Sequence, residues 1–404
     1  MARDGYRIFD ADTHIAEPCE PIERYLSTAD QARLAALGPL LERTPARGGQ
    51  SRWRVGKRPS LDRRLGSRER AGIIAAKASG LKEASGTPWD VRWQGPPFPS
   101  ERVNFDPHAR VRDMDIEGVD VDMVLPSGGL PSFCGQPDVG LELAMYQAYH
   151  RFLADYCGPY PDRLTSVLVV SPRDVAASVA EIRRCGKETW PVGIFPVCPP
   201  EMSLDDPDWE PLWAEAQEHD LTVVIHAFTW TAPYPPGVWD TWNNAFLQRS
   251  AGHVWNAQRN MAALIGAGVL DRYPELRITS LECGHGWLAF WASRLDELAE
   301  MAAHAIAPLK QKPSEYIRGG QYYQSIQLHE GELSLRQAIE AIGEDTLMFA
   351  TDYPHSESWF PRSVEAVLGW TSIPERARRK LLWENALRCY RRYGARVTAT
   401  SPTA

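Results

Sequence analysis

Eight short apolar runs, each followed by a segment with helical spacing, leave this 404-residue chain few folds to choose from. The runs fall at 6–10, 122–127, 164–170, 192–197, 222–226, 276–281, 322–328 and 347–350. Most are continuously apolar, as expected of parallel strands covered on both faces. Around them the pattern predicts helices at 20–37, 113–117, 141–157, 174–185, 208–218, 255–266, 286–303, 333–342 and 374–393. Eight such units imply an α/β fold, a (β/α)8 TIM barrel forming one domain over 1–404, with its chemistry where the strands end. An open doubly wound sheet is the other arrangement, but no Gly-rich phosphate loop follows the first strand.

One stretch, 43–110, breaks the rhythm. It gathers Arg52, Arg54, Lys57, Arg58, Arg63, Arg64, Arg68 and Arg70, then the Pro-rich Trp93-Gln94-Gly95-Pro96-Pro97-Phe98-Pro99. This N-terminal insertion reads either as a solvated loop or as a lid that contacts an anionic substrate group.

The hydrophobic fraction of 44% supports a sizeable core, and the net charge of −8 argues against a nucleic-acid partner. Fifteen Trp and 32 Pro point to long structured loops and an aromatic-lined cavity. No apolar run approaches a membrane span, and MARDGYRIFD has no signal-peptide core. The Cys residues at 19, 134, 157, 185, 198, 283 and 389 form no C-x-x-C pair. They read as reduced thiols, so the protein is expected to be soluble and cytoplasmic.

A barrel demands that polar residues collect at the strand ends, and they do. Asp12 and His14 follow the first strand two residues apart, so an extended chain points both to one face. His226 ends the fifth strand, Glu282-Cys283-Gly284-His285 follows the sixth, and Thr351-Asp352-Tyr353-Pro354-His355 follows the eighth. Any one of these histidines is as well explained by a core or capping role. Five such residues at one end (Asp12, His14, His226, His285, Asp352) are better explained by a site for a divalent metal such as zinc, iron or manganese.

At these residues the sequence resembles the amidohydrolase superfamily, in the branch that includes amino-carboxymuconate-semialdehyde and γ-resorcylate decarboxylases. The matching stretches are FDADTHIAEP, RDMDIEGVDVDMVLP, DPDWEPLWAEAQEHDLTVVIHAF, VLDRYPELRITSLECGHGWLAFWASRLDE, GEDTLMFATDYPH and ENALRCYRRY. The resemblance implies metal ligation by Asp12, His14, His226 and Asp352, with His285 as the active-site histidine and Asp352 as a second catalytic group. The fourth strand, GIFPVC, ends without the lysine that other branches carbamylate, so a lysine-bridged metal pair is not expected.

Glu17, His150 and His355 complete the candidates. They read as hydrogen-bonding support for the ligands, or as holders of a second ion such as a related non-heme di-metal group carries. Phe228, Trp230 and Tyr234, in the loop after His226, are candidate walls of an apolar substrate pocket. The leading expectation is a metal-dependent hydrolase that attacks an amide, ester or thioester of a small, partly apolar acid through metal-bound hydroxide. The alternatives are a non-oxidative decarboxylase and an Fe/Mn di-metal oxygenase. A fourth reading, a non-catalytic barrel that partners an active paralogue, sits poorly with a complete ligand set. The expected partners are a small-molecule substrate and further copies of this chain or of a paralogue.

Overall fold

The computed structural model describes residues 3–15, 17–45, 51–55, 105–197, 199, 202–226, 245–355 and 358–400. Its centre is an eight-stranded sheet made of β1 (Phe9–Ile15), β4 (Val121–Pro126), β5 (Leu164–Val170), β6 (Pro191–Pro196), β7 (Thr222–His226), β8 (Ile278–Leu281), β9 (Tyr322–Ser325) and β10 (Leu347–Met348). Neighbours pair in sequence order, every pairing is parallel, and helices cover the outside. The chain therefore folds as the expected (β/α)8 barrel.

The seam between first and last strands matters most for the site. Ala11 N donates to Phe349 O at 3.0 Å, Asp352 N to Asp12 O at 2.9 Å, and His14 N to Tyr353 O at 2.7 Å. These bonds close the barrel just beyond the short β10. They also place Asp12 and His14 beside Asp352, from opposite ends of the sequence.

Side chains on either side of β1 divide the work. Phe9 points outward and stacks on Tyr390 at 5.6 Å, with Trp383 and Tyr393 around it. That aromatic cluster anchors the strand to the C-terminal helices. Asp10 takes the amide N–H and the hydroxyl of Thr351, and the fully buried Arg110 donates to Asp122, Tyr156 and the backbone carbonyl of His14. An unpaired guanidinium there would cost several kcal/mol, so this pairing fixes the end of β1 against β4.

Several boundaries differ from the sequence expectation. The first strand runs Phe9–Ile15, not 6–10, so Asp12 and His14 lie within it. The helix expected at 20–37 is two, Cys19–Glu23 and Thr28–Ala36, because Ser27 caps a new start by accepting from Asp30 N at 3.1 Å. The helix expected at 113–117 begins at Pro107 behind an Asp106 cap, inside the stretch read as insertion. The closing helix breaks at a π turn, Lys380–Glu384, where the Leu381 carbonyl accepts from Phe349 N at 2.9 Å.

Of the basic stretch, residues 43–45 and 51–55 lie in a hairpin of β2 (Leu41–Pro45) and β3 (Ser51–Val55). Trp53 is buried, packs edge-on against Phe133 at 5.8 Å and donates to Glu23 at 2.7 Å. This part folds back on the barrel; positions 56–104 lie outside the described residues. Six of the seven cysteines are free thiols among the described residues, and no described helix is long and apolar enough to cross a membrane.

Candidate active site

His14 is aimed by its backbone surroundings. Its Nδ1 lies 2.9 Å from the Pro126 carbonyl, which can only accept, so Nδ1 carries a proton and Nε2 faces inward. That Nε2 stands 3.3 Å from Asp12 Oδ1 and 3.4 Å from Asp352 Oδ1. His226, at the end of β7, brings its Nε2 to 4.0 Å from the same Asp12 oxygen. All four side chains are almost completely buried.

The sequence reading missed Glu282 as a member of this group. Its carboxylate reaches 3.0 Å from His226 Nε2, 3.3 Å from His253 Nδ1 and 3.2 Å from Arg249 Nη2. A left-handed backbone at Glu282, φ 47°, turns the side chain back from the strand toward His226. The available signal was its place, first after β8, matching Asp352 beyond β10.

The group has the character of a cation site. Asp12 Oδ1, His14 Nε2 and Asp352 Oδ2 are buried without a hydrogen-bond partner among the described residues. Donors about 2.1 Å from a tetrahedral ion stand about 3.4 Å from one another, close to the spacings around His14. Asp12, His14 and His226 offer atoms within 4.8 Å of one another, as do His14, Glu282, Asp352 and His355. Three buried carboxylates crowded around histidines repel one another when ionised, and a divalent cation would relieve that repulsion.

Electrostatics inside the group follow from that crowding. Burial pushes Asp352 well above the usual carboxylate range, and Glu282 and Asp12 push it further. Burial would lower His14, but Asp12, Asp352 and Glu282 overcome it and raise its pKa to about 9. Burial lowers His226, whereas Glu282 is held well below its ordinary value by His253 and His226 against its own desolvation.

The other candidates divide. His355 joins the site: its Nδ1 meets Asp352 Oδ1 at 2.7 Å, its ring stacks on His14 at 4.2 Å, and burial and the His14 charge push its pKa down to about 3. His150 does not. Its Nδ1 pairs with Glu181 at 2.8 Å and its Nε2 accepts from Val169 N at 2.8 Å, so both nitrogens are committed to tying a helix to β5 and to its neighbour. Glu17 accepts from Leu130 N at 3.2 Å and belongs to none of the ligand-like groups among the described residues. Among the described residues, no ligand-like group brings Glu17, His150 and His355 together. His285 is buried in the loop after β8 and also lies outside those groups; its Nδ1 accepts from Gln327 N at 3.2 Å. Phe228, Trp230 and Tyr234 lie outside the described residues. A cleft beside Asp12 and Asp352 is walled by Ile326, Gln327, Leu328 and His329.

Comparison with known proteins agrees with this architecture. The amidohydrolase family model matches residues 86–392. A γ-resorcylate decarboxylase from Rhizobium sp. is 25% identical over 307 residues, spanning 71% of this chain and 87% of the relative. Another from Polaromonas sp. is 27% identical over 300 residues, spanning 69% and 85%. Among solved structures, a 5-carboxyvanillate decarboxylase from Novosphingobium aromaticivorans, complexed with manganese and 4-hydroxy-3-methoxy-5-nitrobenzoic acid, has a TM-score of 0.68 at 21% identity and covers 96% of this chain and 97% of its own. An amidohydrolase from Mycobacterium avium subsp. paratuberculosis has a TM-score of 0.70 at 20% identity, covering 95% and 99%. With the family model spanning seven of the eight barrel strands, β4 to β10, this chain belongs to the amidohydrolase family of metal-dependent enzymes.

Proposed function

We propose that this protein is a metal-dependent, non-oxidative decarboxylase of an aromatic carboxylic acid, with manganese or zinc as the ion. The observation that carries the reading is the oxygen-rich donor group of Asp12, His14, His226 and Asp352 in a family member whose sequence relatives are γ-resorcylate decarboxylases. This replaces hydrolysis, which the same residues could serve, as the leading reading.

Asp12, His14, His226 and Asp352 would hold the ion. When bound, it supplies Lewis-acid charge that orients and polarises the oxygens of the substrate. The remaining chemistry belongs to the side chains. Asp352 Oδ1 is tied to His355, which leaves Oδ2 to carry a proton to the ring carbon bearing the carboxylate. Cleavage of the bond to the carboxylate then releases CO2, and its electron pair restores the aromatic ring. Asp352 is left ionised and recovers its proton from water. His285 Nε2, buried without a hydrogen-bond partner among the described residues, donates to a substrate oxygen and holds the acid in register.

The test is CO2 release from 2,6-dihydroxybenzoate, 5-carboxyvanillate and related hydroxybenzoates, set beside hydrolysis of aryl esters and thioesters. The proposal expects metal-dependent CO2 release and negligible ester cleavage. Metal-dependent hydrolysis with no CO2 from any acid would restore the hydrolase reading.

A further inference from the structure

Two glycines flank His285, and one carboxylate explains both. Gly284 sits at φ 73°, and a Cβ added there would run into Glu330 Oε1. A Cβ on Gly286 would come within 3.0 Å of Glu330 Oε2 and 2.8 Å of Ser334 Oγ. The space is kept because Glu330 reaches under the loop and takes both of its amides. His285 N donates to Oε1 at 2.9 Å and Gly286 N to Oε2 at 2.7 Å. Ser334 Oγ donates to Oε2 at 3.1 Å. Glu330 is also the N-cap residue of helix Gly331–Ile342, where the helix dipole favours a negative charge.

The same segment addresses the ring. Gln327 N donates to His285 Nδ1 at 3.2 Å, and Gln327 O in turn accepts from Glu330 N at 3.1 Å. A backbone N–H can only donate, so Nδ1 must be the unprotonated nitrogen of the neutral ring, and the proton resides on Nε2. Glu330 Oε2 lies 3.4 Å from Nδ1 and would accept a hydrogen bond from it only if that nitrogen became protonated.

We propose that Glu330 is the positioning residue of His285: it clamps the His285 loop through two amides, holding Nδ1 on Gln327 N so that Nε2 always presents a proton. The proposal rests on the reading of His285 as a donor to substrate, although the clamp itself can be tested without substrate. It is carried by the joint geometry of a carboxylate, two glycines and a ring nitrogen, contributed by segments more than forty positions apart.

The experiment is NMR of the 15N-histidine-labelled full chain loaded with zinc, with the His285 signals identified by their loss in His285→Gln. The native ring is expected as a single Nε2-protonated tautomer. In Glu330→Gln one amide contact is lost, and that single tautomer should give way to a mixture. Turnover should fall between about 10- and 100-fold through kcat, with KM and metal content little changed. Ser334→Ala, which leaves the carboxylate in place, should keep both the tautomer and the turnover. A native His285 protonated at Nδ1 overturns the proposal even if Glu330→Gln fails to fold. An unchanged tautomer and turnover in a folded Glu330→Gln also overturns it. If native enzyme shows the Nε2 tautomer but decarboxylates nothing, the positioning inference stands and the proposed reaction fails.

Discussion

His14 Nε2 lies 3.4 Å from Asp352 Oδ1, so the first and last strands of the barrel meet in one donor group. His14 Nε2 has no hydrogen-bond partner among the described residues, and what the two atoms share is a place for a cation. Exchanging either residue should therefore empty the site without unfolding the barrel. His14→Ala and Asp352→Asn should each lower bound metal from about one ion per chain to near zero, measured by elemental analysis after gel filtration. Full metal retention in either variant would remove that residue from the ligand set.

His285 stands apart from the ligand groups, so its loss should be felt in rate and not in metal. His285→Ala should retain the ion and lose about 100-fold or more in kcat/KM, as expected when one preorganised donor is removed. Parallel metal analysis and steady-state kinetics check this. Metal loss matching that of His14→Ala would make His285 a ligand.

His150 is committed to Glu181 and to Val169 N, which predicts a stability effect with no metal effect. His150→Ala should cost about 1–3 kcal/mol by leaving buried polar groups unpaired. Denaturant melts and metal analysis of the same preparation separate the outcomes. A halved metal content would bring back a second ion held by His150.

Glu117 supplies a pH dependence away from the metal. It is buried, accepts from Val364 N at 2.8 Å, and desolvation raises its pKa from 4.5 to about 8. Between those values the folded state binds the proton that the unfolded state has released, so this group makes stability fall as pH rises. The slope from this one residue is at most about 1.4 kcal/mol per pH unit. Glu117→Gln, always neutral, should therefore melt higher than the native chain at pH 8, and the difference should vanish near pH 4.5. An equal difference at both pH values would show that Glu117 folds as a carboxylate.

The eight strands, and the barrel end where Asp12, His14, His226 and Asp352 gather, were legible because both depend on local pattern. Continuous apolar runs mark buried parallel strands, and a polar residue ending such a run marks the barrel mouth, as at His226 and Asp352. What escaped depends on contacts between distant segments. The first strand was ended too early, at Asp10, because Asp12 and His14 look unlike strand, yet Phe349, Thr351 and Tyr353 give this stretch backbone and side-chain partners across the seam. Glu282 escaped because its left-handed backbone, not its spacing, swings it toward His226. His150 faces inward as its helical position implied, but only packing of the next helix brings Glu181 to it.

The proposed reaction delivers a proton to a ring carbon, whereas hydrolysis would deliver a water oxygen to an acyl carbon. Native enzyme with one bound ion, incubated with 2,6-dihydroxybenzoate and 5-carboxyvanillate in D2O, tests it by mass spectrometry of both products. Decarboxylation should give one CO2 released and one deuterium placed on the ring carbon for each acid consumed. Its contradiction would be an enzyme that leaves every such acid intact while cleaving aryl esters in H2(18)O with one 18O entering the acid product.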